Sequence, residues 1–154
     1  MTYTGYDIED IEDAMVSTLS ADETLSAYVR TFERMPWEDI EALEKLLKNY
    51  PAIVVAYRGG DDDNSSYGVC DQVGKFAVLC AHKSVKSPST AARGRGTAKG
   101  VYAMLKDVLK CLNYSNLGLD IISCLSSGVR VVAVSTTLTV FAREFTVTWR
   151  LTYV

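Results

Sequence analysis

The residues of this 154-residue sequence that could do chemistry are one histidine, four cysteines, a run of aspartates and a short Arg/Gly segment. His82 could serve as a general base or pair with a cysteine nucleophile, but either role needs a partner held within hydrogen-bond reach. It stands in the apolar stretch "KFAVLCAHKS", where a histidine reads as a packing residue. Cys70, Cys80, Cys111 and Cys124 are ten or more residues apart, without the close C-x-x-C pairs of zinc ribbons and thiol oxidoreductases, so they read as ordinary reduced thiols. Asp61, Asp62, Asp63 and Asn64 offer the oxygen ligands a hard cation prefers, yet lack the alternate spacing and the bidentate Glu of a calcium loop. They read as a solvated loop tip, with cation binding left open.

Arg93, Arg95 and Lys99 form a local basic patch threaded by Gly94, Gly96 and Gly100. Glycines beside a lysine suggest a phosphate cradle. A P-loop needs G-x-x-x-x-G-K-[S/T], whereas here Thr97 follows Gly96 directly, and a dinucleotide fingerprint fails because Lys99 occupies its third small position. No cofactor is expected. The segment "SVKSPSTAARGRGTAKG" has no apolar rhythm and reads as a flexible loop, about residues 85–98, that docks on a partner or faces a polyanion.

The composition, 48% hydrophobic and 23% charged, suits one domain that needs neither metal nor disulfide to fold. A net charge of −3 argues against dedicated nucleic-acid binding, which shows as a basic excess. No apolar run approaches the roughly 20 residues that cross a bilayer. The acidic start "MTYTGYDIEDIEDAM" is unlike a signal peptide, so the protein is expected to stay where it is made.

The elements that must position these residues follow from periodicity. Ile8, Ile11, Met15 and Leu19 recur at helical steps in "YDIEDIEDAMVSTLSA", and the carboxylates of its first turns favour the positive end of the helix dipole. "AYVRTFERM" reads as a short strand. "WEDIEALEKLLKNY", with Ile40, Leu43, Leu46 and Leu47 as its stripe, and "GVYAMLKDVLKCLN" read as two further helices. "AIVVAYRGG" and "KFAVLCAHKS" form a hairpin through "GGDDDNSSYG" as a long loop. Two apolar runs separated by Ser126, Ser127 and Gly128 lead into a final strand. In that strand Phe141, Phe145, Val147, Trp149 and Leu151 share a face that only Arg143 interrupts. The pattern predicts an α+β domain spanning residues 1–154, a mostly antiparallel sheet with about three helices on one face.

"DIEDAMVSTL", "YPAIVVAYRGG", "GKFAVLCAHKS", "ARGRGTAKGVYAMLKDVLKCL", "LGL" and "VFAREFTVTW" together resemble a family of small tail proteins of Mu-like phages and prophages. That family is similar to the tail terminator, or tail completion, proteins of long-tailed phages. The likeness runs from about Ile8 to Trp149. It departs at Ala81, His82, Lys83 and Ser84 and in the Asp-rich segment.

The resemblance implies a structural virion protein of the tail or neck, not an enzyme, assembled in the host bacterial cytoplasm. It implies a homohexameric ring on the head-proximal end of the tail tube that stops tube polymerisation and joins the head connector. It also implies contact with sheath in contractile tails, and passage of genomic DNA through the lumen without sequence readout. Arg93, Arg95 and Lys99 are then expected toward the lumen or the tube. Another neck or connector protein is the alternative, followed by a nucleic-acid-binding module that uses the Arg/Gly loop.

Overall fold

The alternation at the carboxyl end sets the architecture. A computed structural model describes residues 2–83, 87–96, 98–136 and 138–154. In chain order it contains β1 (Tyr3–Thr4), α1 (Ile8–Ala21), α2 (Glu23–Ser26), β2 (Thr31–Met35), α3 (Ile40–Leu46), β3 (Ala52–Ser66) and β4 (Val69–His82). There follow α4 (Pro88–Arg93), β5 (Gly94–Arg95), β6 (Ala98–Lys99), α5 (Val101–Leu112), β7 (Ser123–Val134) and β8 (Thr139–Tyr153). The terminal strand β8 is interior: β4 pairs one side of it, while β7 and the short β1 pair the other. Beyond β4 lie β3 and then β2, the latter parallel to β3; the other pairings are antiparallel.

Both faces of the sheet are covered. Phe145, Val147 and Trp149 of β8 join Phe76 and Val78 of β4 beneath α1, α2 and α5. The alternate residues Val140 and Ala142 join Leu79 and Ala81 against Leu43 and Leu47 on the opposite side. The expectation that helices cover a single face is therefore corrected: α3 lies on the other face, because the central strands are apolar on both sides and each side must be buried. Arg143 remains in the apolar row because its Nε donates to the Leu105 carbonyl at 3.0 Å and its guanidinium approaches Ser126 Oγ at 3.5 Å.

Local chemistry fixes the start of α1, where the sequence places acidic first turns. The Asp7 side chain accepts the Asp10 N–H while the Asp10 side chain accepts the Asp7 N–H, each at 2.9 Å, which closes a capping box at the start of α1.

Other expectations change. Among the described residues there are five helices where about three were expected, since the short α2 and α4 carry no apolar repeat that periodicity could reveal. "GGDDDNSSYG" is strand up to Ser66, and only Tyr67 and Gly68 turn between β3 and β4. Pairing with β4, itself backed by β8, overrides the turn-like composition, and irregularities at Tyr57/Gly60 and Asp63/Ser66 absorb the mismatch. Ser126–Gly128 do not separate two strands. They form a bulge inside β7, where Gly128 takes a φ of 149°. Within the segment expected to be a flexible loop, the described residues form α4, capped by Ser87 Oγ accepting the Thr90 N–H, and the β5–β6 pair.

Candidate assembly surface

The three predicted basic residues separate into two roles. Lys99 is bound within the fold: its Nζ lies 2.9 Å from Asp107 and 4.7 Å from the centre of the Tyr28 ring. Tyr28 donates its hydroxyl proton to the same carboxylate at 2.6 Å. Burial, then the hydrogen bond to Asp107 and its charge, hold the Tyr28 phenol well above its ordinary range. The triad ties β6 to α5 and to the turn after α2. Arg93 and Arg95, by contrast, are exposed and form no ion pair among the described residues. Gly94 makes the tight turn between them at a φ of 82°, where a Cβ would collide with the Ala98 carbonyl. A shallow groove of about 220 Å³ brings Arg93 beside Tyr102 of α5 and Val134 at the end of β7.

That position borders a feature the sequence does not reveal, the open edge of β7. Its outer side has no strand partner among the described residues. Val129, Val131 and Val134 are exposed, Val131 at 60%. The single charge on β7, Arg130, turns inward across the sheet face, with Nε 2.6 Å from Glu144 and a terminal nitrogen 2.9 Å from Glu38. Arg58 reaches the same two carboxylates at 2.9 and 3.9 Å. This four-member cluster links β3, β7, β8 and the residue preceding α3's cap, and it leaves the rim of β7 without a charge of its own. Natural edge strands normally carry such a charge against unwanted pairing.

The opposite end of the sheet is built differently. Arg34 of β2 spans three carboxylates of α1, at 3.0 Å from Glu9, 3.7 Å from Glu12 and 3.2 Å from Asp13. Glu33 beside it is exposed. Two grooves of about 540 and 550 Å³ flank the end of β2, one toward α3 and one toward α1, sharing Arg34, Met35 and Pro36. Trp37, 64% exposed, and Leu46, 47% exposed, line the first. Leu46 thus leaves the buried stripe expected for α3.

The residues first considered for chemistry are dispersed. Burial pushes the Cys80, Cys111 and Cys124 thiols up to about 12, so all three are protonated at neutral pH. Burial also lowers the pKa of His82, whose Nδ1 has no hydrogen-bond partner among the described residues. Asp62 accepts from the Gln72 side chain, and among the described residues no group of three or more His, Cys, Asp or Glu is placed to hold a metal ion. No described helix is long and apolar enough to cross a membrane.

Residues 7–150 match the family described as Bacteriophage Mu, Gp37. The chain belongs to that family. The Mu-like phage kinship expected from its motifs is thereby shown. No curated protein sequence matches the chain significantly. Among solved structures, a chain from the "Virion of native gene transfer agent (GTA) particle" is similar in fold. It superimposes with a TM-score of 0.61 at 15% identity, over 95% of this chain and 99% of that one.

Proposed function

We propose that this member of the Bacteriophage Mu Gp37 family is a structural virion protein that acts as the tail terminator. It forms a ring, a hexamer by the family resemblance, on the head-proximal end of the tail tube, ends tube and sheath growth, and joins the tail to the head connector. It works by docking and not by transforming a substrate. The observation that carries this reading is a fold shared over nearly its full length with a virion chain, in a phage family. The open sheet edges add support, since a closed ring needs two different surfaces on each protomer. Arg93 and Arg95, exposed and without salt bridges among the described residues, are the residues of the basic patch assigned to the lumen or the tube, while Lys99 keeps their loop in place through Asp107.

Electron microscopy of particles made without this protein tests the reading. Overlong tails, or tails without heads, support a terminator. Normal free tails beside full, tailless heads refute it in favour of a head-side connector.

A further inference from the structure

The proposed ring requires a contact between copies, and the sheet specifies which edges make it. Resting on that reading, we propose that β7 of one copy pairs antiparallel with the outer edge of β2 of the next, a head-to-tail contact that continues the sheet from copy to copy.

Three observations converge on it. The first is register. Ala56 pairs with Ala77, Ala77 with Glu144, and Glu144 with Gly128; Ala52 pairs with Ala81, Ala81 with Val140, and Val140 with Ala133. Thr31–Met35 pairs with Ala52–Ala56, so β2 stands at the same height across the sheet as Gly128–Ala133. A rotation about an axis along the strands brings these two segments together without sliding. The second is direction. Three antiparallel steps separate β7 from β3, and β2 is parallel to β3, so β7 runs opposite to β2 and the new pair is antiparallel.

The third is chemistry. The β7 rim offers exposed valines on the α5 face at that height, and the β2 rim offers on the same face the groove lined by Ile8, Pro36 and Tyr57. The flanks differ in sign. Arg93, Arg95, Lys106 and Lys110 are exposed on the α4 to α5 side, which overlies β8 and β7. Asp10 and the carboxylates around Arg34 lie on the α1 side, which overlies β3 and β2. A second copy satisfies both the apolar rim and the charge difference. An isologous contact would set each flank against its like.

The experiment blocks one edge at a time. Val131→Asp places an acid on the β7 rim, on the α5 face, where it would meet the acidic flank, and Glu33→Lys places a base on the β2 rim, on the opposite face, where the proposed register sets it level with Arg130. Both residues are exposed, and unchanged circular dichroism and melting confirm that each variant folds. Light scattering after size-exclusion chromatography is expected to show an oligomer for the wild type and monomers for each variant alone. An equimolar mixture of the two is expected to recover pairs of at least twice the protomer mass, because each variant retains the edge the other lacks. A wild-type-sized oligomer from either variant, or a mixture that stays monomeric, overturns the edge assignment while leaving the terminator reading to the tail-length test. A wild type that remains monomeric at high micromolar concentration overturns self-pairing.

Discussion

Replacing Gly74 with alanine should destabilise the fold by crowding two buried aromatic rings. Gly74 sits where β4 crosses the bulky end of β8, and a Cβ there would lie 2.8 Å from Trp149 Cζ3, 2.9 Å from Trp149 Cη2 and 2.9 Å from Phe76 Cε2. The indole has little room to retreat. Trp149 is 1% exposed, its Nε1 donates to the Tyr6 carbonyl at 2.8 Å, and its ring packs at 6.3 Å from that of Phe76. Overpacking of this kind costs about 1–3 kcal/mol. At about 2–4 °C per kcal/mol for a chain of this size, melting should fall by roughly 2–12 °C. The double-mutant cycle with Trp149→Phe isolates the cause, because phenylalanine lacks the two six-ring carbons that clash. Gly74→Ala should cost less on the Trp149→Phe background than in the wild type, by about 1 kcal/mol or more in chemical denaturation. A neutral Gly74→Ala, or costs that simply add, would refute the packing of β4 against β8 described above.

Stability should be fully present below pH 9 and decline as pH rises from there. Unfolded thiols ionise near 9.0 and tyrosine near 10.0, whereas buried Cys80, Cys111 and Cys124 stay protonated up to about 12 and Tyr28 is raised as well; denaturant titrations across that range check it. For the same reason a thiol-specific reagent should label the native protein slowly and the unfolded chain at once. Arg34→Ala should destabilise at neutral pH and recover part of the loss in acid: burial already raises the Glu12 pKa against the pull of Arg34, so protonating Glu12 as pH falls relieves a charge left without its partner. The double variant Arg93→Ser/Arg95→Ser should melt within about 2 °C of wild type, as exposed substitutions do, while phage complementation shows impaired tail joining; adding Lys99→Ser should lower the melting temperature through loss of the Asp107 contact.

The long elements were legible because each repeats one period. Ile11, Met15 and Leu19 mark α1, Val101, Leu105 and Val108 mark α5, and the odd residues of β8 mark its buried face. Where the reading failed, distant partners decided the structure. Asp61–Asp63 read as a loop tip in isolation, but β4 and β8 supply the ladder that makes them strand. Ser126–Gly128 read as a turn because a bulge and a turn use the same residues. The valines of β7 read as strand, but an apolar strand shows in sequence without showing whether anything covers it. The basic charge at Arg93 and Arg95 was visible, whereas the commitment of Lys99 to Asp107 and Tyr28 was not. Tyr28 lies 79 positions from the aspartate it shares with that lysine.

Imaging purified phage particles at a resolution that traces side chains would decide most directly whether this protein closes the tail. The expected result is a ring of this α+β fold between the tube and the head connector, with β7 of each copy against β2 of its neighbour. Particles that carry complete tails and no copy of this fold at that position would contradict it.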